Sequence, residues 1–307
     1  MKHAALLFVA MLACFATFFL FAGAEVADAV APAEREGREL ASPQRVRPPR
    51  LKSAYSLAGE AIPIDDPDVR DRLDRELLTN TFYHSSTQHV LKRKSRYFPV
   101  IEPILAEEGV PDDLKYVAVA ESAFRDFRSP AGASGVWHFM KGTARDYGLE
   151  VNSEVDERFH LERSTRAAAR FFKDLREDLG SWTLAMAAYN RGAGGVREQM
   201  REQRAESFYD LNLNEETSRY IFRIAALKDI LEDPEYYGFF LEDVDTYPPL
   251  SEEDYIVVTV TESVPNWGDF ARQYGTSYRK LKWLNPWLQE ADLTVSAGNS
   301  YEIRVPK

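Results

Sequence analysis

The chain has 307 residues, 45% of them hydrophobic and 28% charged, an ordinary globular balance with room for one substantial domain and a smaller one. Its formal charge is −11 and no stretch forms a strong basic patch, which excludes nucleic acid as a partner. One cysteine, Cys14, excludes a framework of disulfides.

In chain order, a targeting segment comes first. Lys2 and His3 form a short polar start, Ala4 to Ala22 is apolar and uncharged, and Ala22-Gly23-Ala24 offers the small residues a signal peptidase needs. Residues 1–24 are expected as a signal peptide, and the protein as exported. An apolar run of this length is also long enough to stay as a membrane anchor. Met11-Leu12-Ala13-Cys14 is a poor match to a lipoprotein cleavage box. From Glu25 to about Ser53 the chain is rich in Ala, Pro, Arg and Glu without apolar periodicity, and residues 25–65 are expected as a flexible tether.

Residues 66–233 are predicted to be mainly helical. Pro67 marks a helix start, with Val69, Leu73 and Leu77 on one face. A second helix is predicted over 90–108, stopped by Gly109-Val110-Pro111. The next helix, opened by Pro111-Asp112-Asp113, holds the most informative pattern in the chain. Leu114, Val117, Glu121 and Phe124 share one helical face, so a lone carboxylate stands where the period demands an apolar residue. A carboxyl group desolvated there resists ionising, the property a general acid needs. The alternative is a solvated Glu121 pairing with Arg125 one turn on.

Residues 129–135 are small and loop-like, Thr143–Tyr147 suggests a short helix closed by Gly148, and Arg163–Leu179 a longer one ended by Gly180. Trp182–Asn190 is apolar and helical up to a break at Gly192-Ala193-Gly194-Gly195. Thr217–Leu231 supplies a helix with Tyr220, Ile224, Leu227 and Ile230 on its buried face. Leu231 to Asp254 carries nine acids and no Lys or Arg, together with Pro234, Pro248 and Pro249, so residues 234–254 are expected as an acidic linker.

The Glu121-Ser122 pair is followed by Gly135-Val136-Trp137-His138, Ala187-Ala188-Tyr189-Asn190-Arg191-Gly192 and Glu216-Thr217-Ser218-Arg219-Tyr220. In this order the four blocks resemble the catalytic domain of lytic transglycosylases, a lysozyme-like fold that cleaves the glycan strands of bacterial peptidoglycan. The resemblance implies one glutamate, Glu121, acting in both proton transfers. It protonates the β-1,4 oxygen between N-acetylmuramic acid and N-acetylglucosamine, then deprotonates the C6 hydroxyl that closes a 1,6-anhydro ring. It implies a Tyr220 phenol donating to Glu121, where packing alone is the other reading of a Tyr on an apolar face. It places Ser122 near the substrate acetamide, or else as an ordinary helix serine. Gly135 is implied where backbone approaches the saccharide, Trp137 lining the groove, Tyr189 beside the groove, and Asn190 bonding substrate or backbone. His138 departs from the family's glutamine and is expected among the substrate contacts. No metal or cofactor is implied, since His84, His89, His138 and His160 form no ligand spacing.

From Tyr255 the pattern becomes strand, helix, helix, strand, with Asn285-Pro286 after the second helix. Residues 255–307 resemble a LysM module, a binder of N-acetylglucosamine polymers, although Thr261-Glu262-Ser263 replaces the usual Gly-Asp-Thr. Trp267, Trp283 and Trp287 either stack on sugar or fill the core of this small unit. The fold class expected is therefore mainly α, a lysozyme-like α+β domain plus a small βααβ module. The order of modules resembles the membrane-bound lytic murein transglycosylase D family, with peptidoglycan as partner and the bacterial periplasm or envelope as location. A goose-type-like lysozyme and an inactive wall-binding scaffold are the rival readings.

Overall fold

The computed structural model describes residues 47–307, so the signal segment, Cys14 and the first part of the expected tether lie outside the described residues. The rest of that tether is folded. Strands β1 (Tyr55–Leu57) and β2 (Glu60–Ile62) pair in an antiparallel hairpin. It turns on Ala58 and Gly59, both at positive φ, and it buries Leu57 and Ile62 in the main core. The Ala58 N–H donates to Asp113 Oδ2 at 2.7 Å, and the Lys52 ammonium bonds Asp229 at 2.5 Å. Two apolar anchors in a short polar stretch were too few to read as a strand pair.

Helix α1 (Pro67–Phe82) starts as predicted, with Asp66 accepting from the Asp68 and Val69 N–H groups. Helix α2 (His84–Glu107) runs through Pro99 and Pro103 to a stop at Gly109. A 3-10 turn at Asp112–Leu114 leads into α3 (Lys115–Ser122), most of which is buried. The helix does not reach Phe124. Ala123 and Phe124 are both left-handed (φ 50 and 56), and this turn seats Phe124 in the core, stacked on Tyr97 at 4.8 Å.

Next come α4 (Lys141–Asp146), α5 (Leu161–Leu179), α6 (Trp182–Arg191), α7 (Ala193–Gln203) and α8 (Glu215–Glu232). The glycine-rich break expected at 192–195 is confined to Gly192, at φ 89. Gly194 and Gly195 are helical, within an α7 that seats Val196 in the core. Helix α8 packs against α1, α3 and α6, so it touches most of what surrounds Glu121.

The acidic segment 234–254 is a strap, not a free linker. Tyr237 and Phe239 are buried in the main core, the Tyr247 N–H donates to the Lys92 carbonyl at 2.9 Å, and the Ser95 hydroxyl donates to the Tyr247 carbonyl at 2.8 Å. Its aromatic residues hold it along α2 while its acids stay in solvent.

The C-terminal module has the expected order: β3 (Tyr255–Val260), α9 (Trp267–Gln273), α10 (Tyr278–Leu284) and β4 (Tyr301–Pro306). The two strands pair antiparallel from Tyr255↔Pro306 to Val260↔Tyr301. Trp267 and Trp287 are buried in its core beside Leu281, Ile303 and Val305, whereas Trp283 is 55% exposed. The module also docks on the helical domain. The Asp156 N–H donates to the Trp287 carbonyl at 2.8 Å, and the Gln289 N–H to the Glu154 carbonyl at 2.7 Å. The Glu154 carboxylate takes the Thr294 N–H at 2.6 Å, and Arg304 pairs with Glu162. Val155 completes the module's apolar core from the other side of the interface. Among the described residues, no helix is long and apolar enough to cross a membrane.

Candidate active site

Glu121 sits in the last turn of α3, where the chain turns away through left-handed Ala123 and Phe124. Its side chain is 15% exposed and lines a groove of about 270 Å³, whose walls include Tyr83 between α1 and α2, Ser86 from α2, and Arg219 and Arg223 from α8. Arg125 does not pair with it; its guanidinium nitrogen donates to the Ser122 carbonyl at 3.3 Å. The Tyr220 phenol donates to Glu121 Oε1 at 2.5 Å. Burial, followed by the neighbouring Glu121 charge, pushes that phenol well above its ordinary value, so Tyr220 stays a donor across the working range of a protein. The His138 imidazole faces the other oxygen, with Nδ1 3.4 Å from Oε2. The contact of His138 is therefore with the carboxylate itself.

Three expected substrate contacts are engaged by the protein itself, although Ser122 is among the residues lining the groove. Ser122 is 2% exposed, and its hydroxyl is committed to the helix end. It donates to the Ala118 carbonyl at 3.1 Å and accepts the Phe124 N–H at 3.0 Å, which stabilises the left-handed turn beside Glu121. Trp137 is 0% exposed and lines no groove; its indole N–H donates to Thr165 Oγ1 at 2.9 Å, and its ring packs against Phe172. Gly135 (φ 77) is required, but by protein rather than by saccharide. A Cβ there would lie 1.8 Å from the Arg158 carbonyl oxygen.

Tyr189 and Asn190 end α6 beside this loop. The Tyr189 phenol donates to the Trp137 carbonyl at 2.6 Å and its ring stacks on Phe172 at 4.6 Å, so it ties α6 to the block that carries His138. Burial and then the Glu121 charge push the Tyr189 phenol well above its ordinary value too. The Asn190 carboxamide oxygen accepts from Thr217 at 3.0 Å, and with Glu216 and Thr217 it lines a shallow depression next to the groove.

Two structural supports of the site were not singled out from the sequence. Arg158 is buried, forks onto both Asp156 oxygens at 2.8 and 2.7 Å, and donates to the Gly132 and Phe139 carbonyls at 2.8 and 3.0 Å. It thus clamps both ends of the 132–139 loop. Glu76 of α1 is 1% exposed and, among the described residues, the one other acid lining the Glu121 groove. Its signal was the same as that of Glu121, an acid within the Val69–Leu73–Leu77 stripe. Arg219 Nε bonds Glu76 Oε1 at 2.6 Å and Arg223 Nε lies 3.8 Å from Oε2. Of the other acids, Asp156 and Glu162 are salt-bridge partners of Arg158 and Arg304. Among the described residues, no group of three or more His, Cys, Asp or Glu is placed to hold a metal ion.

Comparison with known proteins follows the same division. Residues 99–212 match the transglycosylase SLT domain, and residues 256–307 match the soluble lytic transglycosylase C-terminal LysM-like domain. The first match covers Glu121, His138, Tyr189 and Asn190 and stops before Tyr220, which the fold returns to Glu121. Membrane-bound lytic murein transglycosylase D from Escherichia coli K12 is 28% identical over 263 residues, 82% of this chain. The same protein from Escherichia coli O6:H1 matches equally. The chain spans 55% of the length of these relatives. The solved structure of an inactive mutant of the lytic transglycosylase Slt from Pseudomonas aeruginosa has 22% identity and a TM-score of 0.38, over 48% of this chain and 26% of that one. The chain is thus similar, at 99–212, to the transglycosylase SLT domain and, at 256–307, to the C-terminal LysM-like domain of soluble lytic transglycosylases.

Proposed function

We propose that this protein is an exported lytic transglycosylase of the bacterial envelope, cutting the β-1,4 bond between N-acetylmuramic acid and N-acetylglucosamine without water. The observation that carries this reading is the Glu121–Tyr220 bond at 2.5 Å beside an open groove. Protonated Glu121 gives its proton to the glycosidic oxygen as the C1–O bond breaks, and the substrate's acetamido oxygen stabilises the sugar cation. The carboxylate left behind takes the proton of the C6 hydroxyl while that oxygen bonds C1, which restores the acid and leaves a 1,6-anhydro end. Tyr220 donates to the carboxylate form, so it stabilises the state the first transfer leaves and holds that carboxylate in place for the second. Asn190 and the groove residues of α8 would hold the glycan strand, with Ser122, Gly135 and Trp137 shaping the loop from beneath.

Glu76 gives the hydrolytic reading its specific support, since inverting hydrolysis needs a second carboxylate to activate water. Against it, Glu76 is 1% exposed and faces two guanidinium groups, so it offers no oxygen to a water in the groove. The test is mass spectrometry of purified peptidoglycan digested with the protein and with Glu121→Gln. Products lighter by one water than hydrolytic muropeptides, absent with the variant, support the reading. Reducing-end products would move the assignment to a lysozyme, and uncut glycan that still sediments with the protein would make it a scaffold.

A further inference from the structure

His138 stands where the resembled family has glutamine, and it is held there against its backbone preference. Its φ of 54 is left-handed, a region that non-glycine residues leave unless the surroundings impose it. The turn is fixed by the His138 N–H donating to the Gly135 carbonyl at 3.0 Å and the Ser134 N–H to the Phe139 carbonyl at 3.0 Å. Arg158 holds Phe139 from behind. The result aims Nδ1 at Glu121 Oε2.

The other ring nitrogen decides the tautomer. Nε2 is buried and meets no hydrogen-bond partner. A proton there would be a donor sealed away from any acceptor, whereas a bare Nε2 forfeits only a weak acceptor. A cationic ring would also carry that orphaned N–H. The groups around the ring do not change this. Glu121 of α3 faces Nδ1, and the phenols of Tyr220 and Tyr189 are turned to Glu121 and to the Trp137 carbonyl. Arg125 lies over the far ring, its guanidinium 5.0 Å from the Phe127 centroid, with Phe127 between it and the imidazole.

We propose that His138 is a positioning residue for Glu121, locked as the neutral Nδ1–H tautomer and donating to Oε2 while Tyr220 donates to Oε1. Each carboxylate oxygen then has one protein donor, which fixes the plane of the group. The second lone-pair position of Oε2 remains free for the proton that travels to and from the glycan. At 3.4 Å the His138 contact is a close approach rather than a formed hydrogen bond, and the bond is completed in the substrate complex. An amide in the family's position supplies the same single donor. The inference rests on Glu121 being the acid and base.

The test has a spectroscopic arm and a kinetic arm. The protein contains five histidines. Long-range 15N–1H spectra of the histidine-labelled protein, with His138 assigned by its loss in His138→Gln, are expected to show a protonated Nδ1 and a bare Nε2. A protonated Nε2 overturns the proposal. In the kinetic arm, His138→Ala is expected to lower kcat about tenfold at nearly unchanged KM, the loss of one modest hydrogen bond, and His138→Gln to restore most of it. A loss confined to KM, or a His138→Gln variant as slow as His138→Ala, also overturns it. Should Glu121→Gln remain active, the acid–base assignment of Glu121 fails, whatever tautomer the spectra report.

Discussion

Acid should loosen the joint between the two modules through one carboxyl group. Glu162, in the first turn of α5, faces Arg304 of β4 and lies 3.2 Å from His160 Nδ1. Burial alone would raise its pKa, but the close approach of His160 and the Arg304 guanidinium outweigh burial and hold it down at about 2, from an ordinary 4.5. A carboxyl whose folded value is depressed contributes stability above its unfolded value and loses it as pH falls toward the folded one. The window is therefore between about 4.5 and 2. At 1.36 kcal/mol per decade the difference is worth roughly 3 kcal/mol. For a protein of this size, this corresponds to a melting temperature lower by roughly 5–10 °C. Thermal unfolding followed by circular dichroism, in wild type and Glu162→Gln, isolates this group from the other acids. The variant should melt lower at pH 6, and the gap should close toward pH 2 as the wild-type carboxyl is protonated. A gap of the same size at pH 2.5 and pH 6 would refute the reasoning, because a lost packing contact does not titrate.

Tyr220→Phe removes the donor on Glu121 Oε1 and should lower kcat by about 10–100-fold, the range of a hydrogen bond to a charged group, with the fold intact by circular dichroism. Gly135→Ala puts a Cβ 1.8 Å from the Arg158 carbonyl at a positive φ, so the purified variant should lose more than about 2 kcal/mol in denaturant titration. Ser122→Ala should cost about 1–2 kcal/mol of stability while KM stays near wild type, since its hydroxyl serves the helix end; a raised KM with unchanged stability would return Ser122 to the substrate.

What the sequence disclosed was whatever depends on period. Val69, Leu73 and Leu77, or Tyr220, Ile224 and Leu227, announce their helices because burial of one face leaves a fixed spacing. The LysM-like module was legible for the same reason, since its elements are short and cleanly punctuated. Glu121 was legible as an exception to such a stripe. The division of labour among the motif residues was not. Whether Trp137 faces a sugar or the core depends on Thr165 and Phe172 arriving behind it from α5, and Ser122 is claimed by a turn that starts one residue later. Glycine misled in the other direction. Gly194 and Gly195 read as a break, yet α7 continues through them because Val196 is buried and the cost of glycine in a helix is only about 1 kcal/mol each. The docking of the C-terminal module was invisible because it runs largely through backbone groups of 154–156 and 287–289, which carry no side-chain signature.

The same stripe signal marks both Glu121 and Glu76, and a single helix separates their roles. Helix α8 presents Arg219, Tyr220 and Arg223 within two turns. Tyr220 points its phenol at Glu121, a neutral donor that orients a carboxyl without countering its charge. Arg219 goes to Glu76 and bonds it at 2.6 Å, while Arg223 bonds both Glu216 oxygens at 2.9 and 3.3 Å and lies 3.8 Å from Glu76. Exchanging these partners would set a guanidinium charge against Glu121 and leave Glu76 with a neutral donor. Glu121 therefore meets a neutral donor partly because Arg219 is drawn to Glu76, which makes Glu76 a structural support of the site. On this reasoning Glu76→Gln frees Arg219 toward the groove, with Arg223 still held by Glu216, and it should slow glycan cleavage while leaving the anhydro product unchanged. A switch to hydrolytic products in that variant, or no change in rate, would refute this division of roles.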